Sequence, residues 1–366
     1  MSPGGRSAIV VGAGIGGLAA GIALRRSGWE VSVLERAPEL QPLGAGLSIW
    51  PNGVAALRSL GAGSVCDSPD LAPSDGALRR ADGSELAGFD PAEIERRFGA
   101  PLVGVHRGDL QEALLDGLGD PPRTGATVES VGSGTVRLAD GEEMAADLIV
   151  GADGLRSTVR EWTIGAEEPT DSGITAWRGV ACGIGEVPAG EWWGSGCVAG
   201  LLPLSGDRTY WYVAYRGPEG DGDELARRLI QFGAPVRETV GATDWDARLC
   251  HRLFDRPPAD RWSRGPVTLL GDAAHPMLPF LGQGACSALE DAVALAAALD
   301  GRTDVEAALA DYEGARRPRT ANLVKGSRQA ARIALVPAPL RPFRNFAVAH
   351  TPASARLRQL ATFVEG

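Results

Sequence analysis

Gly12-Ala13-Gly14-Ile15-Gly16-Gly17 joins an apolar, β-branched run at 7–11 to a helical pattern over 15–27. Glycines at this spacing do phosphate chemistry. Gly12 permits a tight turn, Gly14 lets the backbone approach a pyrophosphate, and Gly17 allows close packing of helix on strand. The amides from Ile15 onward, at the head of the helix, then face the anion. Glu35 closes the next apolar run about 20 residues further on, where a carboxylate takes the hydroxyls of a ribose. Arg36 suits either a contact near the adenine or a solvated surface charge. This first station is a dinucleotide site, and alone it does not separate NAD from FAD.

Two later stations follow apolar strands. Gly151-Ala152-Asp153-Gly154, with Ser157 and Arg160, comes after the run at 148–150. Gly271-Asp272-Ala273-Ala274-His275-Pro276 comes after 267–270 and leads to Gly282-Gln283-Gly284-Ala285, the head of a long apolar helix at 284–299. His275 is of the type that titrates near neutrality, as a general base must. No Gly-x-Ser-x-Gly elbow and no metal-ligand spacing accompanies these stations, which argues against a hydrolase and against a metal site.

The set Gly12-x-Gly14-x-x-Gly17, Gly151-Ala152-Asp153-Gly154-x-x-Ser157-x-x-Arg160 and Gly271-Asp272-x-x-His275-Pro276 resembles the single-component FAD-dependent aromatic hydroxylases, relatives of p-hydroxybenzoate and salicylate hydroxylase. The match runs from about Ala8 to Arg319. Ser48-Ile49-Trp50-Pro51-Asn52-Gly53 and Leu289-Glu290-Asp291-Ala292 are similar to the urate and salicylate hydroxylase branch.

The resemblance implies non-covalent FAD, NADPH or NADH as transient reductant, and O2. One oxygen atom would pass from a flavin C4a-hydroperoxide to a small, electron-rich aromatic or polycyclic substrate. It implies flavin contacts at Gly46, Arg107, Asp153 and Asp272, the last accepting from ribityl hydroxyls. Asp153 and Arg160 would stand near the flavin and the nicotinamide. The backbone at Gly282, Gly284 and Ala285 would face the pyrimidine end of the ring, a field that favours the anionic reduced flavin. With the aromatic-rich segment it implies a substrate wall of Trp177, Leu201, Tyr210, Pro279 and Phe280. Tyr210 and His275 are the candidate catalytic residues, although the family more often gives the His275 position a structural role.

Two other readings stay open. A flavin-dependent halogenase would carry a Trp-x-Trp-x-Ile-Pro segment that this chain lacks, and a non-catalytic FAD-binding protein would not need so complete a set of stations. Urate-hydroxylating relatives place an arginine just before their Leu-x-Pro strand, where this chain has Cys197-Val198. That departure points to a less anionic, more apolar ligand.

Positioning three strand-end motifs requires an α/β architecture. The expectation is a Rossmann-like FAD-binding domain with a parallel sheet, interleaved with a mostly antiparallel substrate domain and followed by C-terminal helices. The FAD domain is expected at 1–70, 106–165 and 266–325, the substrate domain at 71–105 and 166–265, and a helical tail at 326–366. The pattern predicts helices at 53–60 and 106–118, strands at 71–78 and 86–89 about an Asp82-Gly83 turn, and a hairpin at 127–131 and 135–138. It further predicts strands at 174–180, 198–203 and 209–215, and a helix at 305–319 closed by Arg316-Arg317-Pro318-Arg319.

Composition narrows the partners. A formal charge of −10 makes a nucleic-acid partner a poor fit. Apolar runs break too soon to span a bilayer, and no signal pattern precedes the first strand, so the expected compartment is the cytoplasm. Five cysteines without a Cys-x-x-Cys pair read as free thiols. A monomer or homodimer is expected.

Overall fold

The computed structural model describes residues 5–40, 45–68, 71, 74 and 76–365. Ser7–Val11, Glu30–Leu34, Leu148–Gly151 and Val267–Leu269 form a parallel sheet, with Ser7–Val11 and Leu148–Gly151 at its centre. Helices cover such sheets, so the strands bury nearly every side chain, including Ile9, Val10, Ile149, Val150 and Leu269. Because all four strands run one way, the turns that follow three of them open at the same edge. Ligands bind at that edge in open parallel sheets. The helices Ile15–Arg26 and Gly284–Leu299, which begin at the first and third stations, pack against each other.

A second sheet has seven strands, in the order Leu249–Asp255, Thr170–Cys182, Arg208–Arg216, Cys197–Leu204, Gly190–Trp193, Leu78–Arg80 and Glu85–Ala87. It is antiparallel except where Gly190–Trp193 runs parallel to Leu78–Arg80. Aromatic and β-branched residues suit such a surface, and here they occupy both faces. Trp177, Leu201, Trp211, Val213 and Tyr215 point to one side, where Leu225, Val236 and Val240 from the helices Gly222–Leu229 and Ala234–Gly241 complete a core. Ala176, Trp193, Val198 and Ala214 point to the other side, toward Leu278, Ala331 and Ala334, with Tyr212 and Phe280 packed alongside. Gly46–Ile49 pairs with Val103–His106, and a separate three-stranded sheet holds Val128–Val131, Thr135–Leu138 and Glu143–Ala145.

Some elements depart from expectation. The strand predicted at 71–78 is seen only as Leu78–Arg80, and residues 72, 73 and 75 lie outside the described residues. The Asp82-Gly83 turn does close a hairpin, with Gly83 at φ +95°. Helix Pro91–Phe98 and strands Gly190–Trp193 and Leu249–Asp255 are unpredicted. The helix from Val305 runs on through Pro318 to Ala334. Proline removes one backbone donor, but residues beyond it, including Leu323, Val324 and Ala331, are fully buried and hold the helix together. All five cysteines are free; Cys66, Cys197 and Cys286 are buried and Cys182 is exposed. Among the described residues no helix is long and apolar enough to cross a membrane.

Candidate active site

The glycines of the first station have separate duties. Gly12 has φ +104°, and a Cβ there would lie 2.5 Å from the Ala152 carbonyl oxygen. A Cβ on Gly17 would run into the Gly12 carbonyl, so helix and strand close up only because it is absent. A Cβ on Gly14 meets nothing within 4 Å. Its backbone therefore faces open space at the head of Ile15–Arg26, where Ile15 begins the helix and an anion is favoured. Glu35 accepts from the Ala13 amide at 2.9 Å and from the Ala37 amide at 2.9 Å. Those bonds aim the carboxylate at this turn and leave lone pairs for ribose hydroxyls. Arg36 is exposed.

Asp153 sits on the neighbouring strand end. Its Oδ2 accepts from the Thr158 amide at 2.8 Å, while its buried Oδ1 has no hydrogen-bond partner among the described residues. Burial pushes its carboxyl above the usual range. Arg160, in contrast, is buried and donates to the carbonyls of Ala273 and Ala274, each at 3.0 Å. It ties the second station to the third.

Asp272 follows Val267–Leu269 and remains accessible to solvent, yet surrounding protein raises its carboxyl above the usual range against the pull of His275 and Arg107. A side chain both reached by solvent and hemmed in by protein lines a cleft. Arg107 heads the helix Arg107–Leu118, and its amide donates to the Ala45 carbonyl at 2.8 Å. Burial lowers its pKa, as does Arg178, and Asp272 opposes them. Arg107, Arg178 and Asp272 therefore share one electrostatic neighbourhood.

His275 belongs elsewhere. It is 3% exposed, its Nε2 bonds Asp291 Oδ2 at 2.5 Å, and its ring packs on Trp262. Asp291 also accepts from the Gly271 amide at 3.0 Å and from Arg316 Nε at 2.7 Å. The histidine is thus a buried brace for the Gly271-Asp272 turn, and its candidate role as a catalytic base is corrected to a positioning one.

Trp50, Asn52 and Gln283 gather at the head of Gly284–Leu299. Asn52 Nδ2 donates to Gln283 Oε1 at 3.0 Å, and the buried Asn52 Oδ1 and Gln283 Nε2 have no partner among the described residues. Gln283 is 1% exposed and Asn52 9%. Gly282 has φ +63°, so it turns the chain into the helix as only glycine does readily. A Cβ on Gly284 would meet nothing, which leaves the backbone of Gly284 and Ala285 open to a ligand.

A planar, polar group fits here. Gly14, Glu35, Asp153 and Asp272 follow the ends of the four strands of one parallel sheet, and Asn52, Gln283 and Gly284 meet at the head of a helix that packs beside it. The open backbone at Gly14 suits an anion, the carboxylates of Glu35 and Asp272 suit hydroxyls, and the orphaned atoms of Asn52 and Gln283 beside Gly284 suit a hydrogen-bonding ring edge: the parts of FAD. When bound, FAD supplies reduction by a nicotinamide and activation of O2.

Gly46 brings the second sheet to this cleft. A Cβ there would fall 2.5 Å from Tyr210 Cγ, so the Tyr210 ring lies against the backbone of Gly46. Tyr210 faces the same side as Tyr212, with ring centroids 6.0 Å apart. Burial pushes the Tyr210 phenol up, partly offset by Arg178, which contacts His251 Nε2. Phe280 packs on this side and Pro279 is exposed beside it. Trp177 and Leu201 do not join them. They sit opposite Val213 and Trp211 in the register and face the far core, so their expected place in the substrate wall is corrected.

The FAD binding domain family matches residues 125–327, and an NAD(P)-binding Rossmann-like domain matches residues 10–41. The aurachin C monooxygenase/isomerase of Stigmatella aurantiaca is 39% identical over 338 residues, 88% of each chain. The FAD-dependent urate hydroxylase of Klebsiella pneumoniae is 35% identical over 345 residues, again 88% of each. The structure of Klebsiella pneumoniae HpxO with FAD and uric acid superimposes with a TM-score of 0.90 at 30% identity, covering 98% of this chain and 97% of that one. The chain belongs to the single-component FAD-dependent aromatic hydroxylases. It is an FAD-dependent monooxygenase, the first of the three readings that the sequence leaves open.

Proposed function

We propose that the substrate is a neutral, electron-rich aromatic ring, single or fused, which lies beside Gly46 against the face formed by Tyr210, Tyr212 and Phe280. The observation that carries this reading is the Tyr210 ring against Gly46, beside Arg178 and Tyr212. Relatives named for aurachin C, urate and 3-hydroxybenzoate support an aromatic or polycyclic compound as the substrate class. Cys197-Val198, in place of an arginine, supports a less anionic ligand than urate.

The protein positions the ring and keeps water out. Tyr210 and Arg178 hold a substrate oxygen at the flavin side, aromatic faces fix the plane, and Asp272 and Arg107 orient the cofactor below. NADPH or NADH reduces the cofactor, and the chain acts in the cytoplasm. The test is a panel of neutral and carboxylated aromatics, scored for stimulated NAD(P)H consumption and by mass spectrometry for a product one oxygen heavier. NAD(P)H oxidation that no neutral ring stimulates, with all electrons recovered as hydrogen peroxide, would overturn the substrate assignment.

A further inference from the structure

The face that carries Tyr210 and Tyr212 also carries a carboxylate that no step above uses. Glu191, on Gly190–Trp193, stands opposite Gly200, and Gly200 stands opposite Tyr212 on the next strand. The Tyr212 ring lies across Gly200: a Cβ there would come within 2.6 Å of the Tyr212 hydroxyl oxygen. With no side chain in the way, the phenol spans a whole strand and donates to Glu191 Oε1. Glu191 Oε2 accepts from the Trp193 indole N–H at 2.8 Å.

Both bonds come from neutral donors. On this side of the sheet Arg178 is engaged with His251, and Arg344 lies over the Trp193 ring while donating to the Ala334 and Trp193 carbonyls. Neither is an ion-pair partner of Glu191. A carboxyl enclosed without a cation is costly, and each of its oxygens keeps a lone pair for another donor. Glu191 and Tyr212 are still partly reached by solvent, although burial pushes the pKa of both up. Arg178 stands opposite Tyr212 on the other neighbouring strand, so this face of the sheet carries a cation and, two strands away from Tyr212, a carboxyl.

We propose that Glu191, aimed by Tyr212 and Trp193, accepts a hydrogen bond from the ring O–H or N–H of the substrate. It thereby selects neutral, donor-bearing aromatics over donor-free analogues and over aromatic carboxylates. This inference rests on the substrate reading given above and adds which edge of the ring is recognised. A site that offers a free acceptor lone pair gains a hydrogen bond from a ring that brings a donor and none from the analogue that lacks it. A carboxylated ring brings a like charge into the same enclosure.

Three probes that share one ring system test it by calorimetry on the FAD-loaded protein: 1-naphthol, 1-methoxynaphthalene and 1-hydroxy-2-naphthoate. The wild type should bind 1-naphthol at least about tenfold more tightly than either of the others. Glu191→Gln should cut that preference to about twofold and admit the naphthoate. Tyr212→Phe should weaken the preference by freeing the carboxyl to turn away. Equal binding of naphthol and its methyl ether overturns the proposal, as does tighter binding of the naphthoate, no naphthol binding, or undiminished discrimination in Glu191→Gln. If Glu191→Gln does not load FAD, the wild-type order alone decides. Binding is read without turnover, so a failure of oxygen transfer and a failure of this selectivity are separate results.

Discussion

Tyr210 touches the backbone of Gly46 and stands beside Arg178, and on the proposed reading its hydroxyl holds a substrate oxygen. Tyr210→Phe keeps the ring packing and removes one placed polar group. Product formation should fall by about 10²-fold while NAD(P)H oxidation continues and releases hydrogen peroxide. Unchanged product yield per NAD(P)H would show that the hydroxyl takes no part. Asp272→Ala should weaken FAD retention by about 1.5–3 kcal/mol, the range for hydrogen bonds to a charged group, with little change in far-UV dichroism. Flavin fluorescence released on dilution measures it. The fingerprint glycines, Glu35 and Asp272 are legible in the sequence because each acts through its own backbone turn or strand end. Glu191, Arg178 and Tyr212 are not. Their importance depends on which strands pair and in what register, and a carboxylate two strands away from its phenol leaves no local pattern. Trp177 and Leu201 fail for the same reason: parity along a strand says that neighbours alternate, but not which face meets the cofactor.

The long helices turn individual contacts into a frame. Arg316 on Val305–Ala334 bonds both Asp291 and Glu290 of Gly284–Leu299, and Arg319 bonds Glu290 and the carbonyls of Phe363 and Val364 at the C-terminus. The first half of Gly284–Leu299 is therefore anchored through its neighbour to the helix Ala353–Val364. Pro318 lies between those two arginines. Pro318→Ala restores a backbone donor in a helix interior and should raise stability by about 1–3 kcal/mol, seen as a higher midpoint in urea. A lower midpoint would mean that the proline bend itself is needed for the arginines to reach. Apolar periodicity makes Gly284–Leu299 legible in the sequence. It misplaces the end of Val305–Ala334 because a proline is a strong local stop, and only tertiary burial beyond it overrides that stop. The helices Gly222–Leu229 and Ala234–Gly241 are only 8 residues each, too short for a repeating apolar face to stand out without the sheet they cover.

At the scale of the whole molecule, the Asp291 cluster governs tolerance of acid. Burial alone would raise the Asp291 carboxyl, but His275, Arg316 and the Gly271 amide outweigh it and hold the group well below the usual carboxylate range. A depressed folded pKa contributes stability that is present above the unfolded value of about 4 and is lost as pH falls below it. Asp291→Asn should therefore cost about 3–5 kcal/mol near pH 7, and its deficit against the wild type should shrink below about pH 4. Urea melts of both proteins across that interval measure it; a constant gap would mean that the charge is not what matters.

Thr170–Cys182 and its neighbours pack one face on Leu225, Val236 and Val240, and on the other carry Arg178, Glu191, Tyr210 and Tyr212, the face to which we assign the ligand. The two sets of side chains alternate along every strand. On that reading a change at position 178, 191, 210 or 212 would alter which ligand is accepted, while Trp177, Trp211 and Val213 pack on the opposite face. Selection for a new ligand and selection for a folded protein then act on different residues of the same strands. A chain arranged in this way can exchange one aromatic compound for another by few substitutions, with its flavin machinery untouched.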